Sequence, residues 1–62
     1  MKTLRNLLKA MDYRGHISLR RRLFGEIQYI GGGTSDAIIN RYGGYRVEYT
    51  ETIENVLIIY VK

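Results

Sequence analysis

Cysteine, proline and tryptophan are absent from this 62-residue chain, and histidine occurs once. Without cysteine there is no disulfide to restrict the unfolded state and no thiolate to hold a metal. With His16 alone, a nucleophile–base pair could be drawn only from His16, one of two serines and a distant acid. Glu48, Glu51 and Glu54 have no histidine beside them, so no metal site is expected. Ser18 stands two residues from His16, but strand neighbours at that spacing arise by chance. We expect no catalysis and no cofactor. Long apolar runs are also missing. No stretch reaches the ~18 residues of a membrane span, and the opening Met1-Lys2-Thr3-Leu4 has no secretory apolar run. A single domain over residues 1–62, cytoplasmic and without membrane contact, is the expectation.

What is present is 45 % hydrophobic residues, six tyrosines and seven glycines, with ten Lys or Arg against six Asp or Glu. The net charge of +4 is unevenly spread. Residues 1–22 carry +6, with only Asp12 opposing, whereas residues 23–62 carry −2. Such polarity fits an anionic partner for one end of the molecule or a head-to-tail contact between copies. It is also within the range of ordinary soluble surfaces.

Leu4, Leu7, Leu8 and Met11 recur at i, i+3, i+4 and i+7, which predicts a helix capped by Thr3 and closed near Gly15. From His16 the period changes to two. Ile17 and Leu19 oppose His16, Ser18 and Arg20, and strict alternation would place Arg21 on the apolar face. The strand is therefore expected to end or bulge near Arg20–Arg22, with a turn at Phe24-Gly25 and a return strand over Glu26–Ile30. Gly31-Gly32-Gly33 should break the chain. Thr34-Ser35-Asp36 then opens a short helix to Tyr42, with Gly43 as a left-handed cap. Tyr45, Val47 and Tyr49 alternate as one face of a third strand, and Thr52–Asn55 reads as a turn. Val56–Val61 is apolar throughout, a strand covered on both faces. The predicted fold is α+β (α-β-β-α-β-β), a four-stranded antiparallel sheet with an amphipathic N-terminal helix and a short second helix. Two helices cover one sheet face, so the other is expected to be an apolar patch closed by a homodimer or higher homo-oligomer.

The candidate anion-binding residues are Arg14, His16, Arg20, Arg21, Arg22, Gly32, Gly33, Thr34 and Ser35. Guanidinium forks take phosphate or carboxylate bidentately. Glycine amides before a helix N-terminus can cradle an anion, although Asp36 opposes one there and the chain has no Walker lysine. The competing readings are a charged strand edge and a capped flexible connector. Tyr29, Tyr42, Tyr45 and Tyr49 are candidates to stack on a nucleobase, against rim-of-core packing.

The segments Leu4-Arg5-Asn6-Leu7-Leu8-Lys9-Ala10-Met11-Asp12, Gly25-Glu26-Ile27, Ser35-Asp36-Ala37-Ile38, Tyr45-Arg46-Val47 and Asn55-Val56-Leu57-Ile58-Ile59 carry a resemblance. The pattern is similar to small uncharacterised phage and prophage accessory proteins of Firmicutes. It spans nearly the whole chain but consists of core positions and transfers no catalytic residue. Those proteins are more acidic, and the Arg20–Arg22 cluster and the triple glycine depart from them. The resemblance implies a phage accessory protein acting in the host cytoplasm. The expected function is non-enzymatic counter-defence: a basic, oligomeric sponge that binds and sequesters an anionic, nucleotide-like small molecule. The alternative is a nucleic-acid-binding protein or an inhibitor docking on a host defence factor.

Overall fold

The computed structural model describes residues 2–62. Helix α1 (Leu4–Met11) begins as its spacing predicts: Thr3 caps it, its side chain accepting from the Asn6 N–H at 3.3 Å. It ends at Asp12 in the left-handed conformation. Leu4 and Leu8 are buried, while Met11, at the end of the same stripe, is exposed. Strands β1 (His16–Leu23) and β2 (Glu26–Gly33) form a hairpin. Helix α2 (Ser35–Tyr42) follows, its first turn capped by Thr34, which accepts from the Ala37 N–H. Strands β3 (Val47–Ile53) and β4 (Val56–Val61) form the second hairpin. Their turn is tighter than Thr52–Asn55, with only Glu54 and Asn55 between the strands, both at positive φ.

The α+β class holds, but the sheet is mixed rather than antiparallel. Its order is β2-β1-β4-β3, and the central β1–β4 pair is parallel. Each hairpin is antiparallel, as its short turn requires. After β2, α2 crosses the helix-covered side so that β3 becomes the far edge. β4 then lies innermost beside β1 and runs in the same direction. A position between two strands accounts for its unbroken apolar sequence.

Both helices lie on one sheet face. Leu4, Leu8 and Ile38 pack on Ile17, Leu19, Leu57, Ile59 and Val61. The Tyr13 hydroxyl donates to the Asn55 carbonyl at 3.1 Å, tying the α1–β1 connection to the β3–β4 turn. Among the described residues the opposite face has no second layer, yet Ile58 and Tyr60 are each only 3 % exposed and Ser18 is buried. Neighbouring long side chains close over them, so this face is not the continuous apolar patch its sequence suggested.

Of the two outcomes expected near Arg20–Arg22, an end or a bulge, the bulge is found: β1 runs to Leu23, and Ile30 on β2 is the extra residue opposite Leu19 and Arg20. Three local expectations need correction. Gly31–Gly33 do not break the chain but pair with Ile17–Leu19. A Cβ on Gly31 would stand 2.7 Å from the Tyr42 hydroxyl, so glycine is what lets α2 sit on this strand. Gly43 is right-handed (φ −56°) rather than a left-handed cap. It is needed for space, since a Cβ there would lie 2.6 Å from the Ile39 carbonyl oxygen. Finally, an extra residue at Glu48 interrupts β3, so Tyr45 and Tyr49 do not share a face.

Candidate anion-binding site

Alternation along β1 sends Arg20 and Arg22 to the open face and Arg21 toward the helices. On the open face, Arg22 Nη2 donates to the Tyr49 hydroxyl at 2.7 Å. Its guanidinium carbon lies 5.6 Å from the ring centroids of both Tyr49 and Tyr60. Those rings stack at 4.4 Å and 15°. The Tyr60 hydroxyl donates to Glu51 Oε1 at 3.1 Å. Burial, then the Glu51 carboxylate, raises the Tyr60 pKa above the usual phenol value, and Arg20 acts in the opposite direction. Tyr60 thus donates to Glu51, which keeps its charge on this face but forms no ion pair with Arg20 or Arg22 among the described residues. Arg20 Nε donates to Ser18 Oγ at 3.2 Å.

On the helix side, Arg21 lies over the Tyr45 ring at 5.5 Å, and Tyr45 meets Tyr42 edge-on at 5.8 Å. Arg21 Nε is buried without a hydrogen-bond partner. Strict alternation thus holds here, and the cost of an arginine on the apolar face is met by placing it at the sheet's end against aromatic rings.

The strand register adds residues that the linear charge pattern missed. Arg21 pairs with Val61, the Lys62 N–H bonds to the Arg46 carbonyl, and the Val47 N–H bonds to the Lys2 carbonyl. The Arg5 N–H bonds to the Gly43 carbonyl, and its guanidinium lies beside that glycine. Lys2, Arg5, Arg21, Arg22, Arg46 and Lys62 therefore all lie at the end of the molecule where β1 and β4 finish, Arg21 on the helix side and Arg22 on the open face, with Arg20 next to Arg22. Glu26 and Glu48 are the acids at this end, with Glu51 next to Arg20 and Arg22 through Tyr60. Among the described residues the one ion pair is Arg14–Asp12 at 3.8 Å, fully at the surface and at the opposite end. Arg46 and Lys62 come from the half of the sequence that is acidic overall; the signal for them was the pairing of β1 with β4, which periodicity does not reveal.

The predicted anion-binding set thus divides. Arg20, Arg21 and Arg22 belong to the cationic end. Arg14, His16, Gly32, Gly33, Thr34 and Ser35 lie at the other end, since His16 and Arg22 are about 20 Å apart along β1. The His16 ring faces Gly32, and the Thr34 hydroxyl serves the α2 cap. Beside them, an open groove of about 930 Å³ between α1 and α2 is lined by Lys9 and Arg14 but also by Asp12 and Asp36. Its charges balance and do not select an anion. The tyrosines divide as well: Tyr29 and Tyr49 on the open face, Tyr42 and Tyr45 on the helix side. Among the described residues no cluster of three metal-ligating side chains exists, and no helix is long and apolar enough to cross a membrane.

No family model, no curated protein and no solved structure matches the chain.

Proposed function

We propose that the protein is a non-enzymatic binder of a nucleotide-like anion, held at the cationic end of the sheet. The observation that carries this reading is the meeting there of cations from α1, β1, the start of β3 and the end of β4, without an acid paired to any of them among the described residues. Unpaired cations at one end raise the local potential and draw anions. Arg20 and Arg22 supply the forks, and Tyr49 fixes the direction of Arg22. In a phage setting, such a protein would act in counter-defence by holding a nucleotide signal out of circulation. Self-association is part of the proposal. The free β2 edge carries only one charge, Glu26, so its unpaired backbone groups offer a two-fold pairing surface. Light scattering at micromolar concentration should then give a dimer mass, and a monomer mass would remove that part.

Isothermal titration with ATP as probe tests the central claim. Saturable binding that is lost when Arg20 and Arg22 are replaced supports it. Heat unchanged by those replacements, or absent altogether with both ATP and longer oligonucleotides, rejects it.

A further inference from the structure

Phe24 is fully exposed at the tip of the β1–β2 hairpin. It is also at φ +51°, followed by Gly25 at +81°, so both turn residues are left-handed. That two-residue geometry favours Asn-Gly or Asp-Gly, and a bulky aromatic is disfavoured at its first position. Phe24 therefore costs stability through backbone strain, and with its ring fully exposed it gains nothing back from burial. A residue that breaks local rules without a packing gain is a functional candidate.

The surroundings indicate the partner's chemistry. Directly behind the tip, Arg22 pairs across the hairpin with Ile27, and Arg20 with Tyr29. All four side chains are on the open face, cations on β1 and apolar rings or branches on β2. Tyr29 is 66 % exposed and Ile27 49 %. A row of bases along β2 beside a row of phosphates along β1 would match this pattern. A bilayer fits less well, because a tip that penetrated it would carry Glu26 into the headgroups.

Resting on the anion-binding reading above, we infer that the ligand is a single strand of nucleic acid, with bases stacked on Phe24 and Tyr29 and phosphates on Arg20 and Arg22. Flat aromatic platforms flanked by cations bind single strands with little sequence preference.

The test uses a fluorescent oligothymidylate of about twelve nucleotides, within the known range of site sizes, with ATP as the monomeric control. The decisive variant is Phe24→Asn, which suits the turn and should fold at least as well as the parent. The expected result is oligonucleotide binding weakened about 5- to 100-fold by Phe24→Asn. Affinity should fall with salt at a log–log slope of about −1.4 or steeper, the value for two phosphates on a single strand. ATP should bind much more weakly. If ATP binds as tightly as the oligonucleotide, or Phe24→Asn leaves oligonucleotide binding unchanged, the strand is wrong while the anion site stands. If neither probe binds, both fall. If phosphatidylserine vesicles bind through Phe24 and the oligonucleotide does not, a lipid surface replaces the strand.

Discussion

Arg22 and Tyr49, on strands that are not neighbours, meet through a 2.7 Å hydrogen bond that spans the buried β4 strand between them. The guanidinium is thereby fixed over two stacked rings while its remaining N–H groups stay free. A lysine could keep the charge but not the planar fork.

Replacing Arg20 and Arg22 together by lysine should therefore weaken anion binding by well over tenfold. Hydrogen bonds to charged groups are worth about 1.5–3 kcal/mol each. The melting temperature should fall only modestly: Arg22 is exposed, and the main loss is the bond from half-buried Arg20 to Ser18 Oγ. Arg14→Lys at the opposite end is the control and should bind as the parent does. Calorimetric titration reads both; equal losses from both ends would place the site elsewhere.

The turn between β3 and β4 also contains a correctable strain. Glu54 and Asn55 both have positive φ, and glutamate is a poor residue there. Changing the pair to Asn-Gly should stabilise the protein by about 1 kcal/mol, the relief of the left-handed strain less the entropy that glycine adds to the unfolded chain. Urea unfolding would show this as a higher midpoint at unchanged slope. A lower midpoint would mean that the Glu54 side chain makes a contact of its own.

Gly31 should tolerate a side chain poorly. Its added methyl would stand 2.7 Å from the Tyr42 hydroxyl and 3.1–3.2 Å from the ring, pushing aside a residue packed on the core. Gly31→Ala should cost about 1–3 kcal/mol. Removing the contacting hydroxyl with Tyr42→Phe in the same chain should recover part of that loss, which a double-mutant cycle measures. Additive losses would show that the strain is in the backbone instead.

The raised Tyr60 pKa has a pH consequence. Folding favours the protonated phenol, so its contribution is complete below the unfolded value of about 10 and is lost as pH rises through the folded value. Stability should decline in that alkaline range, and Tyr60→Phe should flatten the decline. Thermal melts of the two proteins above pH 9 provide the comparison, with identical slopes as the contrary outcome.

Elements with an unbroken period were legible in the sequence. The Leu4/Leu8 stripe, the Ile17/Leu19 alternation and the apolar run of β4 all became what their spacing implied. Faces beyond a bulge were not. One extra residue at Glu48 sends Tyr45 to Arg21 and Tyr49 to Arg22, on opposite sides of the sheet. A period of two carries no warning of such an insertion. The direction of β4 was hidden for a different reason: period shows how buried a strand is, and its partner is chosen by topology. The composition of the cationic end followed from that choice, which explains why Arg20–Arg22 were found and Arg46 and Lys62 were not. Phe24 was seen only as a turn residue, because an exposed aromatic has no periodic signature.

The parallel seam between β1 and β4 also sets how the chain must assemble. Every pair across it joins residues forty positions apart, from His16–Val56 to Arg21–Val61. The two hairpins are local and can form early, whereas the seam must close a long loop before its contacts give anything back. The described residues thus form two helix–hairpin halves, 2–33 and 34–62, each presenting its inner strand as an unsatisfied edge to the other. Cut at Thr34, the halves would be neither independent domains nor inert peptides. They would be complementary fragments, each the template on which the other completes its sheet.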